Sequence, residues 1–351
     1  MSESTIILGI ESSCDDTSAA IIRGNKILSN IAANQEIHNE YGGVVPELAS
    51  RAHQQNIIPV VQKSLSKANI QQNDISAIGF TRGPGLLGSL LVGTSFAKSL
   101  AMSLNVPLIE VNHLQAHILA HFIEDANIMP PKFPFLCLTV SGGHTMIVLV
   151  KDYFEMEIIG KTTDDAAGEA FDKIGKIFDL DYPAGPIVDR LAKEGDENSF
   201  KFNKSKLEHY DYSFSGIKTS VLYFIQKEIK KNPDFIKENL NNLCASVQKT
   251  IVDTLMDKLE KAAEDYGIKE VAIAGGVSAN SGLRNAMKEN AEQLGWNIYI
   301  PKFEYTTDNA AMIAMVAQLK YERGEFADLS VGATARYDLE EDFHKSAEKR
   351  N

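Results

Sequence analysis

Short apolar runs alternate with polar turns from the N-terminus onward. Ile6 to Ile10 reads as a buried strand, and the polar turn from Glu11 to Thr17 leads to a second strand, Ser18 to Ile22. Gly24-Asn25 turns the chain into a third, Lys26 to Ile31. A helix is expected from about Pro46 to Ser66. The strand Ala77 to Thr81 closes on Arg82-Gly83-Pro84-Gly85, and a helix of small residues runs from about Leu86 to Leu104. Pro107 to Val111 is again apolar and strand-like. Asn112 is a good N-cap for the helical pattern that follows through Ile118, Leu119 and Phe122.

The second half repeats this scheme. Phe135 to Val140 is a strand, Ser141-Gly142-Gly143-His144 a polar turn, and Thr145 to Val150 and Met156 to Gly160 the return strands. After an insertion, the strand Glu270 to Ala274 ends in Gly275-Gly276, followed by a helix from about Ala279 to Leu294. Asn297 to Ile300 is a strand, and Asp308-Asn309 opens the helix Ala310 to Gln318. Each half is three antiparallel strands, then strand-glycine-helix, then strand-helix. This pattern predicts an α/β protein of two similar lobes around a central cleft. It divides the chain into an N-terminal lobe (1–131), a C-terminal lobe (132–328) with a helical insertion at about 163–268, and a tail (329–351) returning to the first lobe before fraying after Asp338. Approximate two-fold packing would oppose the turns Glu11 to Asp16 and Ser141 to His144. It would also oppose the glycine turns at Gly83-Pro84-Gly85 and Gly275-Gly276, whose backbone amides suit a phosphate.

Within the insertion, Asp164, Asp165 and Glu169 are explained as acidic residues in the first turn of a helix. Asp172 lies a turn further on and is not. Tyr182 to Pro186 is a rigid loop before a helix carrying Asp189. Tyr212 to Thr219 is small, aromatic and basic, as a nucleotide contact or a plain turn would be.

Composition narrows the function classes. The apolar share of 44% and charged share of 23% are those of an ordinary globular protein. No apolar run is expected to reach the length of a membrane span, and no basic-then-apolar leader opens the chain, so a cytoplasmic protein without membrane contact is expected. Cys14, Cys137 and Cys244 are too scattered for a disulfide framework or a Cys-x-x-Cys site. At a net charge of -12 the chain does not grip polyanions by itself; nucleic acid would need a local basic patch or a basic partner.

The sharpest chemistry lies at His113 and His117. Four residues apart at the start of a helix, they share one face, a spacing that suits a transition metal. His121 continues the stripe but lies about 12 Å from His113 along the axis, too far for one ion. Leu114 stands where a His-Glu-x-x-His protease carries its base. Two imidazoles are half a site. The repeat places Asp308 at the equivalent helix start of the other half, making it the natural third ligand; a plain N-cap is its alternative reading.

Several blocks occur together in one order: Gly9 to Thr17 (GIESSCDDT), Arg82 to Leu86 (RGPGL), His113 with His117, and Val140 to Thr145 (VSGGHT). Asp164 to Asp172, Tyr182 to Pro186, Asp211 to Thr219, Ala274 to Asn280 (AGGVSAN) and Thr307-Asp308-Asn309 follow. In these blocks, over nearly its whole length, the chain resembles the bacterial tRNA N6-adenosine threonylcarbamoyltransferases (the TsaD, Gcp or YgjD family). Ser12 stands where threonine is usual, and Ala184 where a second glycine is usual.

The resemblance implies a duplicated actin-like ATPase fold (the ASKHA group: actin, sugar kinases, Hsp70). It implies transfer of a threonylcarbamoyl group from threonylcarbamoyl-adenylate to N6 of adenosine 37 in tRNAs reading codons that begin with A, with release of AMP. One divalent ion per subunit, iron or zinc, would sit on His113, His117 and Asp308. The adenylate or another nucleotide would lie against Thr139, Val140, Ser141, Gly142, Gly143, Asp172, Gly185, Asp189 and Asn280. Glu11 and His144, expected at the cleft rim, are the candidates for taking or positioning the N6 proton. The tRNA anticodon loop, an inactive paralogue (TsaB) and a small ATPase (TsaE) are the implied partners. Competing readings are a metalloendopeptidase of the O-sialoglycoprotein endopeptidase type, which Leu114 disfavours, and a non-catalytic nucleotide-binding scaffold.

Overall fold

A computed structural model describes residues 5–35, 38, 41–125, 128–205 and 207–339. The acidic and basic tail residues expected to fray, from Glu340 on, lie outside the described residues. The chain forms two units, residues 1–131 with 301–351, and residues 132–300.

The first unit is built on a five-stranded sheet. β1 (Ile6–Glu11), β2 (Thr17–Arg23) and β3 (Lys26–Ala33) are antiparallel neighbours, and β4 (Ala77–Gly83) and β5 (Leu108–Asn112) add in parallel beside β1. Parallel strands need crossovers, supplied by α1 (Pro46–Ala68) before β4 and α2 (Leu87–Leu104) before β5. Alternation along β1 sorts its side chains. Ile6, Leu8 and Ile10 join the core under α1 and α2 with Ile57, Val61, Phe80 and Ala97. The odd positions face α9 (Ala310–Glu322), which lies across β1, β2 and β4. At Gly9 a Cβ would stand 2.7 Å from the Ala310 carbonyl oxygen and the Ala314 nitrogen; at Gly79 it would stand 2.4 Å from Ala317 Cβ. Those two glycines let α9 lie directly on the sheet.

α9 therefore corrects the expected division of the chain. The repeat assigns this helix to the second lobe, with a boundary after residue 328; the packing returns the chain to the first unit at Pro301. The physical reason is the complementary small surface, alanines on α9 against glycines on β1 and β4. α2 corrects a second expectation. It is 18 residues long with mean hydropathy 1.3, enough by length and composition to cross a membrane. Its Leu90, Gly93, Ala97 and Ala101 face is buried, and the helix packs on β4 and α1.

The second unit repeats the sheet. β6 (Phe135–Val140), β7 (Thr145–Asp152) and β8 (Glu155–Lys161) are antiparallel, and β9 (Glu270–Ala274) and β10 (Asn297–Tyr299) add in parallel. The two strand orders are identical in kind, so the duplication read from the sequence is present in both sheets. Between β8 and β9 lie α4 (Ala167–Ile177), α5 (Ala184–Ala192), α6 (Ser215–Ile229) and the 32-residue α7 (Phe235–Tyr266). α8 (Ser281–Leu294) joins β9 to β10. α7 buries a stripe of Leu243, Val247, Ile251, Leu255 and Leu259, and packs against α5, α6 and α8.

Candidate metal centre and nucleotide wall

In the first unit the C-terminal ends of β1, β4 and β5 converge, the edge where α/β sheets commonly carry their sites. β1 ends in Glu11 and Thr81 stands near the end of β4, while β5 hands over at Asn112 to α3 (His113–Leu119). As expected, Asn112 is the N-cap: its Oδ1 accepts from the amides of Leu114, at 2.9 Å, and Gln115, at 3.3 Å. His113 and His117 are both buried, with ring centroids 4.8 Å apart and planes nearly perpendicular.

Asp308 completes the group. Its Oδ1 lies 3.1 Å from His117 Nε2 and 3.4 Å from His113 Nε2. The cap of α9 falls to the next residue, Asn309, whose Oδ1 accepts the Met312 amide at 3.1 Å. Asp308 is thereby left to face the imidazoles, and the plain-cap reading does not describe it. All three residues belong to the first unit, so the expectation of one ligand from each half is replaced by a centre within one unit.

The donor set fits a divalent ion. One atom from each residue lies within 4.8 Å of the others. His113 Nδ1 is engaged from behind, 3.1 Å from Glu11 Oε2 and 3.2 Å from Ser13 Oγ, which leaves Nε2 to point at Asp308. Two nitrogens and one oxygen with room for further ligands suit zinc or iron. Without an ion the charges compensate one another. Burial disfavours a charged His113, but Asp308 and Glu11 outweigh it and push the imidazole up to about 10. Burial likewise opposes the charged carboxylates, yet His113 holds Glu11 below its ordinary value, and His113 with His117 holds Asp308 well below.

Glu11 is not at a rim. It is fully buried, its Oε2 accepting from Thr81 Oγ1 at 2.7 Å and its Oε1 from the Ser13 amide. A charged residue closing an apolar strand is read from sequence as a turn; here it is the inner support of His113. The following turn is fastened to α1 by His53, which bonds Thr17 Oγ1 at 2.8 Å and the Cys14 carbonyl at 3.0 Å. Within that turn burial, then Asp15, Asp308 and Glu11, push Asp16 up to about 7.

The second unit gathers the other sequence candidates into a chain of contacts. Thr139 and Val140 end β6. Ser141 closes the turn, its Oγ accepting from the Gly143 and His144 amides at 3.3 and 3.0 Å, with exposed Gly142 at the tip. His144 is half-buried in this turn. The Ser141 carbonyl accepts the Gly168 amide at the start of α4. Asp172, one turn along α4, accepts the Ala184 amide at 2.8 Å, beside Gly185; burial raises its carboxyl. Asp189 on α5 accepts both the amide and hydroxyl of Ser281, at 2.9 and 2.7 Å. Asn280 caps α8 through Leu283 and donates to Gln248 at 2.7 Å. Gln248, Ser281 and Gly282 line a cavity of about 290 Å³ between α5, α7 and α8.

Asp164 has a different reason from the one expected. It precedes α4 and caps α6 from a distance, accepting from Ser213 Oγ at 2.5 Å and the Phe214 amide at 2.8 Å. Asp165 pairs with Lys173 at 2.6 Å. The Tyr212 to Thr219 stretch is accordingly a held turn and helix start, with Tyr212 and Phe214 buried.

The family profile described as "TsaD: tRNA N6-adenosine threonylcarbamoyltransferase" matches residues 26–315. The chain belongs to the TsaD family. It is 83% identical over 335 residues to the tRNA N6-adenosine threonylcarbamoyltransferase of Riemerella anatipestifer, covering 95% of this chain and 98% of that protein. It is 62% identical to that of Christiangramia forsetii, over 94% and 97% of the two chains. Among solved structures, component A of the (R)-2-hydroxyglutaryl-CoA dehydratase of Acidaminococcus fermentans is similar at TM-score 0.51 and 16% identity, over 91% of this chain and 100% of that one. HypF of T. kodakarensis is similar at 0.58 and 14%, over 94% of this chain and 49% of that one. These likenesses concern the fold, the duplicated actin-like ATPase (ASKHA) architecture.

Proposed function

We propose that this chain transfers the threonylcarbamoyl group of threonylcarbamoyl-adenylate to N6 of adenosine 37 in tRNAs reading codons that begin with A. Membership of the TsaD family carries the reaction class: a tRNA N6-adenosine threonylcarbamoyltransferase. The observation supporting the site is the convergence of His113, His117 and Asp308 backed by Glu11.

The donor is a mixed carbamoyl–phosphoryl anhydride. N6 bonds to the carbamoyl carbon, the bond from that carbon to the phosphate oxygen breaks, and AMP leaves with the electron pair. His113, His117 and Asp308 would hold iron or zinc, which when bound supplies positive charge to orient and polarise the acyl group. Glu11 keeps the His113 ring turned so that Nε2 faces inward; its burial supports positioning rather than proton transfer at N6. Asp172, Gly185, Asp189 and Asn280, with the turn Thr139 to Gly143, are the second unit's candidates for holding an adenylate. His144, in that same turn, is the remaining candidate for the N6 proton.

An acidic chain supports a shared grip on tRNA. We place TsaB and TsaE as partners in a cytoplasmic complex. The exposed apolar side chains Leu87, Leu91 and Met102 on α2 support a protein partner.

The test is a reconstituted assay with threonylcarbamoyl-adenylate and tRNA, reading AMP release and modified adenosine by mass spectrometry. His113→Ala should abolish both. Full AMP release from that variant would refute metal-assisted transfer, and peptide cleavage lost on chelation would revive the endopeptidase reading.

A further inference from the structure

Asn112 uses its whole amide. It is fully buried, and while Oδ1 caps α3, Nδ2 donates to the carbonyls of Tyr337, at 3.3 Å, and Asp338, at 3.4 Å. A cap needs only the oxygen, which serine, threonine or aspartate also offers. The two carbonyl contacts need the nitrogen as well.

The carbonyls are held in place by their own segment. Residues 332–338 run alongside the end of β4. The Thr334 amide donates to the Arg82 carbonyl at 2.9 Å, and the Gly85 amide to the Ala335 carbonyl at 3.2 Å. Arg82 Nε donates to the Gly332 carbonyl at 3.1 Å, and its guanidinium lies 4.8 Å over the ring of buried Tyr337. At Gly83 a Cβ would stand 2.1 Å from the Thr334 carbonyl oxygen, so the approach is as close as glycine permits.

We propose that Asn112 is a positioning residue of the ion centre, through which the C-terminal segment 332–338 sets the direction of α3 and so of His113 and His117. This rests on the reading that those histidines and Asp308 hold the ion. The helix is seven residues long, and its first residue is a ligand. A tilt at its start moves both imidazoles together relative to Asp308.

The experiment titrates metal-free full-length protein with Co(II), following the visible d–d spectrum and the affinity. Failure of the unaltered protein to bind would sink the ion reading itself, a result distinct from those below. Asn112→Ser keeps the capping oxygen and loses the donor. A chain ending at Arg336 loses both carbonyls, and one ending at Leu339 keeps them. Asn112→Ser and the Arg336-terminated chain should bind Co(II) about tenfold or more weakly, with an altered d–d band and unchanged far-UV helix signal. The Leu339-terminated chain should bind as the full chain does. Unaltered affinity in Asn112→Ser would overturn the proposal. So would a loss of affinity seen only together with a loss of helix signal, which would make the segment a general folding element.

Discussion

His113 Nδ1 lies 3.1 Å from Glu11 Oε2, and that carboxylate has no exposure to solvent. A buried carboxylate behind a metal-binding imidazole fixes its tautomer and strengthens its outer nitrogen as a donor. Glu11→Gln keeps the size and an acceptor but removes the charge. It should weaken metal binding by about 10- to 100-fold while the protein stays folded. Metal affinity and circular dichroism on the same sample check this; wild-type affinity would remove Glu11 from the centre.

Metal binding should release a proton. In the metal-free chain His113 is pushed up to about 10, against burial, by Asp308 and Glu11, so at neutral pH an ion must displace its proton. Apparent affinity should therefore rise by about tenfold per pH unit below that value. Calorimetric titrations in buffers of different ionisation enthalpy would count close to one proton. Asp308→Asn removes one of the two charges that hold the proton, and should both lower the ion stoichiometry and reduce the proton count.

Asp16 makes a different pH statement. Burial and the neighbouring acids raise it to about 7, so the folded chain retains a proton that the unfolded chain has lost. Its contribution to stability is present at low pH and is lost as pH rises from about 4 to about 7. In metal-free protein, Asp16→Asn should be neutral near pH 4 and stabilising by about 2 kcal/mol near pH 8. Urea unfolding at the two pH values reads the difference; a variant equally stable relative to wild type at both would contradict it.

Gly9 links packing to the site. A methyl group there meets backbone atoms of α9, which cannot rotate away. Gly9→Ala should cost about 1–3 kcal/mol by overpacking. Because only the cap residue Asn309 separates Asp308 from α9, it should also weaken ion binding. A denaturant midpoint and a Co(II) titration test the two effects together.

Much of this was legible in the residues. The alternation of strands, glycine turns and helices carries the duplication, and Asn112 before an apolar helical pattern correctly marks where His113 and His117 stand. Periodicity is local, however, and says which face of α9 is small without saying which sheet receives it. That is why Asp308 is identified as a partner of the histidines while its unit is misassigned. Glu11 is misread for a related reason: a single acid at a strand end looks solvated until Thr81, Ser13 and His113 are seen to surround it. The remote cap that Asp164 provides for α6 leaves no signal in spacing at all.

His117 and Asp308 are 191 positions apart, and the second unit is an excursion between them. Synthesis runs from the N-terminus, so both imidazoles leave the ribosome well before the carboxylate they face. A nascent chain halted before residue 300 carries the histidines and Glu11 but lacks α9, which covers β1, β2 and β4. The cluster of His113, His117 and Asp308 can therefore assemble only after α9 has been synthesised.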